Sequence, residues 1–206
     1  MLQSSAFTYT LVGRSDLSQS TLREVIDLAR ANPGKTTIAT AGTGTGQHVM
    51  AVLLKRLANV DILEVQYKGV QPVYTDLLAG RVDLFFDNTT TARPFVESGR
   101  AKPIVTSGSS RDAILPKVPT GREAGLDGLL LDSWIGLFAP AKTPRPVVEQ
   151  LRAGVAKAML APDIRKLFDA NGWRILTMSP GETEAFIKAE AEKWPQFLRQ
   201  AGIRAQ

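Results

Sequence analysis

The stretch TIATAGTGTGQHVMAVLLKRLA, Thr37–Ala58, decides the fold. A β-branched run ends in a loop of alternating glycines, Gly42, Gly44 and Gly46, and a helical pattern begins at once. Glycine tolerates positive φ and lets a backbone approach a ligand closely. The first turn of a helix has unpaired N–H groups and partial positive charge. Together these predict an anion site in a strand–loop–helix unit, with Thr40, Thr43 and Thr45 adding hydroxyl donors around Ala41. A tight turn with no ligand is the competing reading.

Two nucleotide motifs fail here. A P-loop needs lysine after its last glycine, and Gly46 is followed by Gln47 and His48. The dinucleotide motif needs Gly-x-Gly-x-x-Gly, and the spacing here is Gly-x-Gly-x-Gly. The loop therefore favours a small anion. His48 falls in the first helical turn, either as an anion donor or as a structural cap.

Outward from this unit, strand and helix alternate. AFTYTLVGR (6–14) reads as a strand. A helix follows, with Thr21 and Glu24 at capping-box distance, Leu22, Val25, Ile26 and Ala29 on one face, and Asn32-Pro33-Gly34 as its stop. After the glycine loop, Val49, Leu53, Leu54 and Leu57 form the expected apolar stripe. ILEVQYKG is a strand, VQPVYTDLLAGRVD a helix stopped by Gly80, VDLFFDN a buried strand, TARPFVESGR a brief helix and AKPIVTSG a strand. This order predicts an α/β fold with a largely parallel sheet. Asp87 and Asn88 end a strand at the carboxyl edge where such folds place ligands. Asp87 there either reads a ligand amine or hydroxyl or caps the next helix.

From Ser109 to Pro146 prolines punctuate extended segments, and LLLDSWIGLFAP reads as a long strand. The remainder is helical: TPRPVVEQLRAGVAKAML, APDIRKLFDANG and SPGETEAFIKAEAEKWPQFLRQAG. Trp134 and Trp173 read as core residues. Glu190, Glu192 and Lys193 read as a solvated helix face.

The 206 residues suffice for one large domain or two small lobes. With no cysteine, disulfides and thiolate sites are excluded. One histidine rules out a multi-histidine metal site. The net charge of +5 is spread in ones and twos, such as Lys55-Arg56 and Arg165-Lys166, and aromatics are only 7%. That argues against a nucleic-acid surface and suits an anionic small ligand. No apolar run reaches about 18 residues, the length that spans a membrane. The start lacks a basic region followed by an apolar one, so it does not read as a signal peptide.

In order, LREVIDLARANPGK, TAGTGTGQH, VQYKG, YTDLLAGRVDLFFDN, SGRAKPIVTSGSSRDAILPKVPTGREAG, SWIGLFAPAKTPRPVVEQL and EKWPQFLRQAGI resemble the substrate-binding receptors of tripartite tricarboxylate transporters, the Bug-type receptors. The resemblance covers essentially the whole chain. It implies a two-lobed periplasmic-binding-protein-like fold of type II. It also implies capture of a small organic mono-, di- or tricarboxylate in the periplasm, without chemistry or cofactor, and delivery to membrane permease subunits. The ligand-binding residues it implies are Thr40, Ala41, Gly42, Thr43, Gly44, Thr45, Gly46 and His48, with Asp87 and Asn88 beside them. The second lobe is expected over 14–108. The hinge strands and the rest of the first lobe are expected in 1–13 and 109–206.

Two departures stand out. The family's opening portion, from signal peptide through first glycine-rich loop, has no counterpart here, so the first lobe is expected to be incomplete and to self-associate. Gln66 stands where the family usually has proline before Tyr67-Lys68-Gly69, and is expected to alter the local turn. Two other classes remain open: an enzyme that uses the glycine loop for a phosphorylated substrate, and the sensing module of a transcription regulator.

Overall fold

The computed structural model describes residues 2–176 and 178–200, without the side chains of residues 2–4 and 200. Within these, the chain forms two compact units: residues 8–132, and residues 2–7 with 133–200. The predicted helix stop at Ala201-Gly202 lies outside the described residues.

The first of these units carries a five-stranded sheet in the order β3-β2-β4-β1-β5. Its strands are β1 (Leu2–Arg14), β2 (Thr37–Thr40), β3 (Leu63–Gln66), β4 (Leu84–Asn88) and β5 (Ala101–Thr106). β2 pairs parallel with β3 and β4. β1 runs antiparallel to both β4 and β5, with Leu11 opposite Phe86 and Val105. Four strands thus share one direction, and the opening strand is inserted among them the other way. Leu11 and Val12 are both fully buried, as a central strand covered on both faces requires. This pairing is why the unit is wider than 14–108. Thr8–Gly13 sit inside its sheet, and the segment beyond 108 returns to it through Thr106 N–H to Pro119 O and Leu131 N–H to Ser107 O.

Four helices complete the unit: α1 (Leu22–Ala31), α2 (Gly46–Ala58), α3 (Val70–Leu78) and α4 (Thr89–Glu97). α1 has the predicted capping box, with Glu24 N–H donating to Thr21 Oγ1 and Thr21 N–H to Glu24 Oε2. Its buried face is Leu22, Val25, Ile26 and Ala29, as its spacing requires. On α2 the stripe differs. Val49 and Leu54 are buried as expected, but so are His48, Met50 and Ala51, while Leu57 is 40% exposed. α2 packs on β2 and β4; in its last turn Ala58 is buried while Leu57 faces outward.

The other unit contains β6 (Asp132–Leu137), β7 (Arg174–Ile175), α5 (Arg145–Met159), α6 (Pro162–Ala170) and α7 (Pro180–Gln200). Ser5 and Ala6 of β1 pair antiparallel with β7, and β6 also pairs with β1. The expected long strand LLLDSWIGLFAP is shortened to β6. Gly128, at φ +91°, starts a turn in which Leu130 N–H donates to Gly128 O, so Leu129 and Leu131 bury in the first unit instead. Trp134 and Trp173 are half-buried rather than core residues. Glu190 is not solvated: its side chain is 18% exposed and its Oε2 accepts both indole N–H groups, from Trp194 at 2.7 Å and Trp134 at 3.3 Å. α5 and α6 bury no residue at all.

Candidate functional site

Because β2, β3 and β4 are parallel, the helices that follow them start at one edge of the sheet. α2 begins after β2, α3 after β3, α4 after β4. Their first turns carry no acidic residue, whereas α1 in the same unit carries Glu24. The edge is therefore lined by helix N-termini whose positive partial charge no carboxylate of their own first turns offsets.

The glycine loop is laced to itself. Thr45 is the N-cap of α2: its Oγ1 accepts His48 N–H at 3.3 Å and donates to Gly42 O at 2.8 Å. Gly42 and Gly44 take φ +131° and +78°, the left-handed region that favours glycine. Gly44 N–H donates to His48 Nδ1 at 3.0 Å, and Thr43 donates its hydroxyl to Gln66 Oε1 at 2.8 Å. Gln66 thus does more than alter a turn; it ties β3 to the loop. Thr40 O accepts Tyr67 N–H, and Ala41 O accepts Gly69 N–H, which joins the loop to the start of α3. The Thr40 hydroxyl is buried without a partner.

Gly44 N–H and the hydroxyls of Thr43 and Thr45 already have internal partners. Helix geometry leaves the N–H groups of Gly46 and Gln47 without intrahelical acceptors. Gly46 must be glycine on steric grounds, because a Cβ there would lie 2.0 Å from the Tyr9 hydroxyl. A Cβ on Gly44 would meet nothing within 4 Å. Glycine is needed there for backbone conformation.

His48 is buried. Its Nδ1 accepts from Gly44, so the neutral ring carries its proton on Nε2, which lies 3.1 Å from Glu64 Oε2. Lys55, two turns further along α2, holds the other Glu64 oxygen at 2.6 Å.

Asp87 does not present a free carboxylate. It is 1% exposed. Its Oδ2 accepts the Tyr74 hydroxyl at 3.0 Å, its Oδ1 accepts Asn88 N–H at 2.8 Å, and the Gln47 side chain bonds it as well. Burial pushes its carboxyl up to about 6 despite these donors. Asn88 caps α4 by accepting Thr90 N–H at 2.9 Å. Beside it the Thr89 hydroxyl lies 2.9 Å from those of Thr8 and Thr10, and Thr8 donates to Asp112. Sequence reasoning missed Tyr9, Gln47, Tyr74 and this threonine cluster. Only strand pairing brings Tyr9 opposite Asn88.

Among the described residues no group of three acidic or histidine side chains could hold a metal ion, and no helix is long and apolar enough to cross a membrane.

Fold and site together define a periplasmic-binding-protein-like α/β protein with a glycine loop at the sheet edge where α2, α3 and α4 begin. Residues 2–203 match the family model described as tripartite tricarboxylate transporter family receptor, and the chain belongs to that family. It is 37% identical to the UPF0065 protein in the tcbD-tcbE intergenic region of Pseudomonas sp. (strain P51) over 95% of this chain and 58% of that protein. It is 26% identical to Protein BugT of Bordetella pertussis over 94% and 60%. The chain thus spans about three-fifths of the length of these curated relatives. Among solved structures it is similar to periplasmic binding protein BugD, with TM-score 0.88 and 28% identity over all of this chain and 69% of that one. It is also similar to Rhodopseudomonas palustris MatC with bound malate, with TM-score 0.84 and 30% identity over 96% and 68%. R. palustris Rpa4515 with adipate gives TM-score 0.88 and 28% identity over 98% and 68%.

Proposed function

We propose that this chain is the solute-binding part of an extracytoplasmic receptor that takes up a small organic carboxylate and hands it to the permease subunits of a tripartite tricarboxylate-type transporter. The carrying observation is the sheet edge where α2, α3 and α4 begin without an acidic first turn, with the N–H groups of Gly46 and Gln47 lacking intrahelical acceptors. Thr40–Gly46 shape that edge, His48 and Asp87 support it from beneath, and Asn88 starts α4 beside it. The malate and adipate of the two similar structures are dicarboxylates, which makes that class the first to test. The protein binds and releases; no pair of carboxylates at the edge is arranged for acid–base work. Its place of action is the periplasm.

Calorimetric titration with malate, adipate, succinate and citrate tests this. Saturable binding of at least one, with the acid recovered unchanged, is the expected result. Turnover of a phosphorylated compound at the same site would favour the enzymatic reading.

A second part of the proposal concerns self-association. Phe138 is 65% and Leu151 57% exposed, and α5 and α6 bury nothing. Apolar surface of this kind favours association. Light scattering on the chain should give a mass above the monomer, and Leu151→Glu should lower it. A monomer at all concentrations would remove this part.

A further inference from the structure

We propose that His48 is a positioning residue for anion capture. It holds the glycine loop in its ligand-ready shape by accepting Gly44 N–H, in a tautomer that Glu64 and Lys55 select. This inference rests on the carboxylate-binding reading and says which loop donors meet the ligand.

The argument runs through one ring. A backbone N–H can donate to Nδ1 only if that nitrogen carries no proton. The Gly44 N–H reaches Nδ1 at 3.0 Å, within normal hydrogen-bond range. The ring proton therefore sits on Nε2, where Glu64 Oε2 accepts it at 3.1 Å. Glu64 is held in turn by Lys55 at 2.6 Å through its other oxygen. His48 and Lys55 lie seven residues apart on α2, two turns along one face, so both reach β3 from the same side. The ring is buried, which removes water as a competing partner for either nitrogen.

The consequence for the loop is specific. Gly44 stands at φ +78° with open space where a side chain would be, so packing around a Cβ plays no part in holding it. Its backbone N–H is anchored on the His48 imidazole. With that N–H turned inward, Gly44 gives nothing to a ligand, and the donors offered outward are those of Gly46 and Gln47. The bond from Thr45 Oγ1 to His48 N–H makes the same residue close the helix cap. One side chain and its own backbone thus fix both ends of the loop.

Two substitutions divide the ring's functions. In His48→Asn the Oδ1 atom falls near the position of Nδ1 and can still accept from Gly44. In His48→Gln the amide reaches the position of Nε2 and leaves Gly44 unbonded. Three measurements on the 206-residue chain decide the matter. Nitrogen NMR of labelled histidine should show the Nε2–H tautomer in the unaltered protein. Hydrogen exchange at the Gly44 amide should be slow there and in His48→Asn, and fast in His48→Gln. Affinity for malate or adipate should change less than about threefold in His48→Asn and fall about tenfold or more in His48→Gln, tenfold being the worth of one ordinary hydrogen bond. Glu64→Leu should leave the fold in place and let the Nδ1–H tautomer appear.

An Nδ1–H tautomer in the unaltered protein overturns the proposal, as does a Gly44 amide that exchanges equally in all variants. Equal affinity of His48→Gln and the unaltered chain does so too. If the unaltered chain binds no dicarboxylate, the carboxylate reading fails, and the tautomer and exchange data still judge the pinning of the loop.

Discussion

Tyr74 donates its hydroxyl to Asp87 Oδ2 across 3.0 Å, with both side chains buried in the first unit. The tyrosine ring stacks on Phe95, with centroids 3.8 Å apart, and meets Phe85 edge-on. The hydroxyl is therefore presented to the carboxylate by an aromatic cluster. Asp87 itself bonds Gln47, in the first turn of α2. The pair thus braces the first turn of α2.

Asp87 predicts an unusual pH dependence. Its folded carboxyl lies near 6, above the unfolded value of about 3.9. Between these values the folded state holds a proton that the unfolded state has released. The contribution of Asp87 to stability is therefore largest below about pH 4, falls as pH rises through about 6, and is constant above. The fall is roughly 3 kcal/mol at most. Urea unfolding of the parent and Asp87→Asn at several pH values checks this. Their difference in stability should change across that window and stay flat above it.

Tyr74→Phe removes the donor and keeps the ring. A hydrogen bond to a buried charged group contributes about 1.5–3 kcal/mol. The loss should be larger at pH 7.5, where Asp87 is ionised, than at pH 4.5. Equal losses at the two values would show that the ring packing alone matters.

Gly46→Ala and Gly44→Ala should fail for different reasons. At Gly46 the new methyl would lie 2.0 Å from the Tyr9 hydroxyl and 2.5 Å from its ring, so the ring or the loop must move. That overpacking should cost about 1–3 kcal/mol. At Gly44 there is room, and the cost is the left-handed backbone, about 1–2 kcal/mol. Gly44→Asn should recover part of that loss, because asparagine tolerates the left-handed region, and no asparagine should rescue Gly46. Thermal melts of the variants test the distinction.

Glu190→Leu leaves two indole N–H groups without their acceptor. The expected result is a shift in tryptophan emission and a loss of about 1–3 kcal/mol in the second unit. Unfolding followed at the tryptophans reports that unit alone, because Trp134, Trp173 and Trp194 all lie in it. An unchanged spectrum would contradict the bonding.

The amino-acid sequence by itself determined the local elements. The Thr21–Glu24 box, the apolar face of α1 and the glycine loop between β2 and α2 depend on residues within a turn or two of each other, so spacing suffices to read them. The family was legible for the same reason, in short contiguous motifs. Only the tertiary structure decided where β1 goes. Its direction and its place between β4 and β5 depend on pairing between residues 71 to 96 positions apart, which periodicity does not encode. The same holds for the site. Asp87 and Gly44 look like ligand contacts in the sequence, where every polar group is unbonded. Folding brought Tyr74 and Gln47 to the one, partners that no local spacing encodes, and turned the His48 ring to the other.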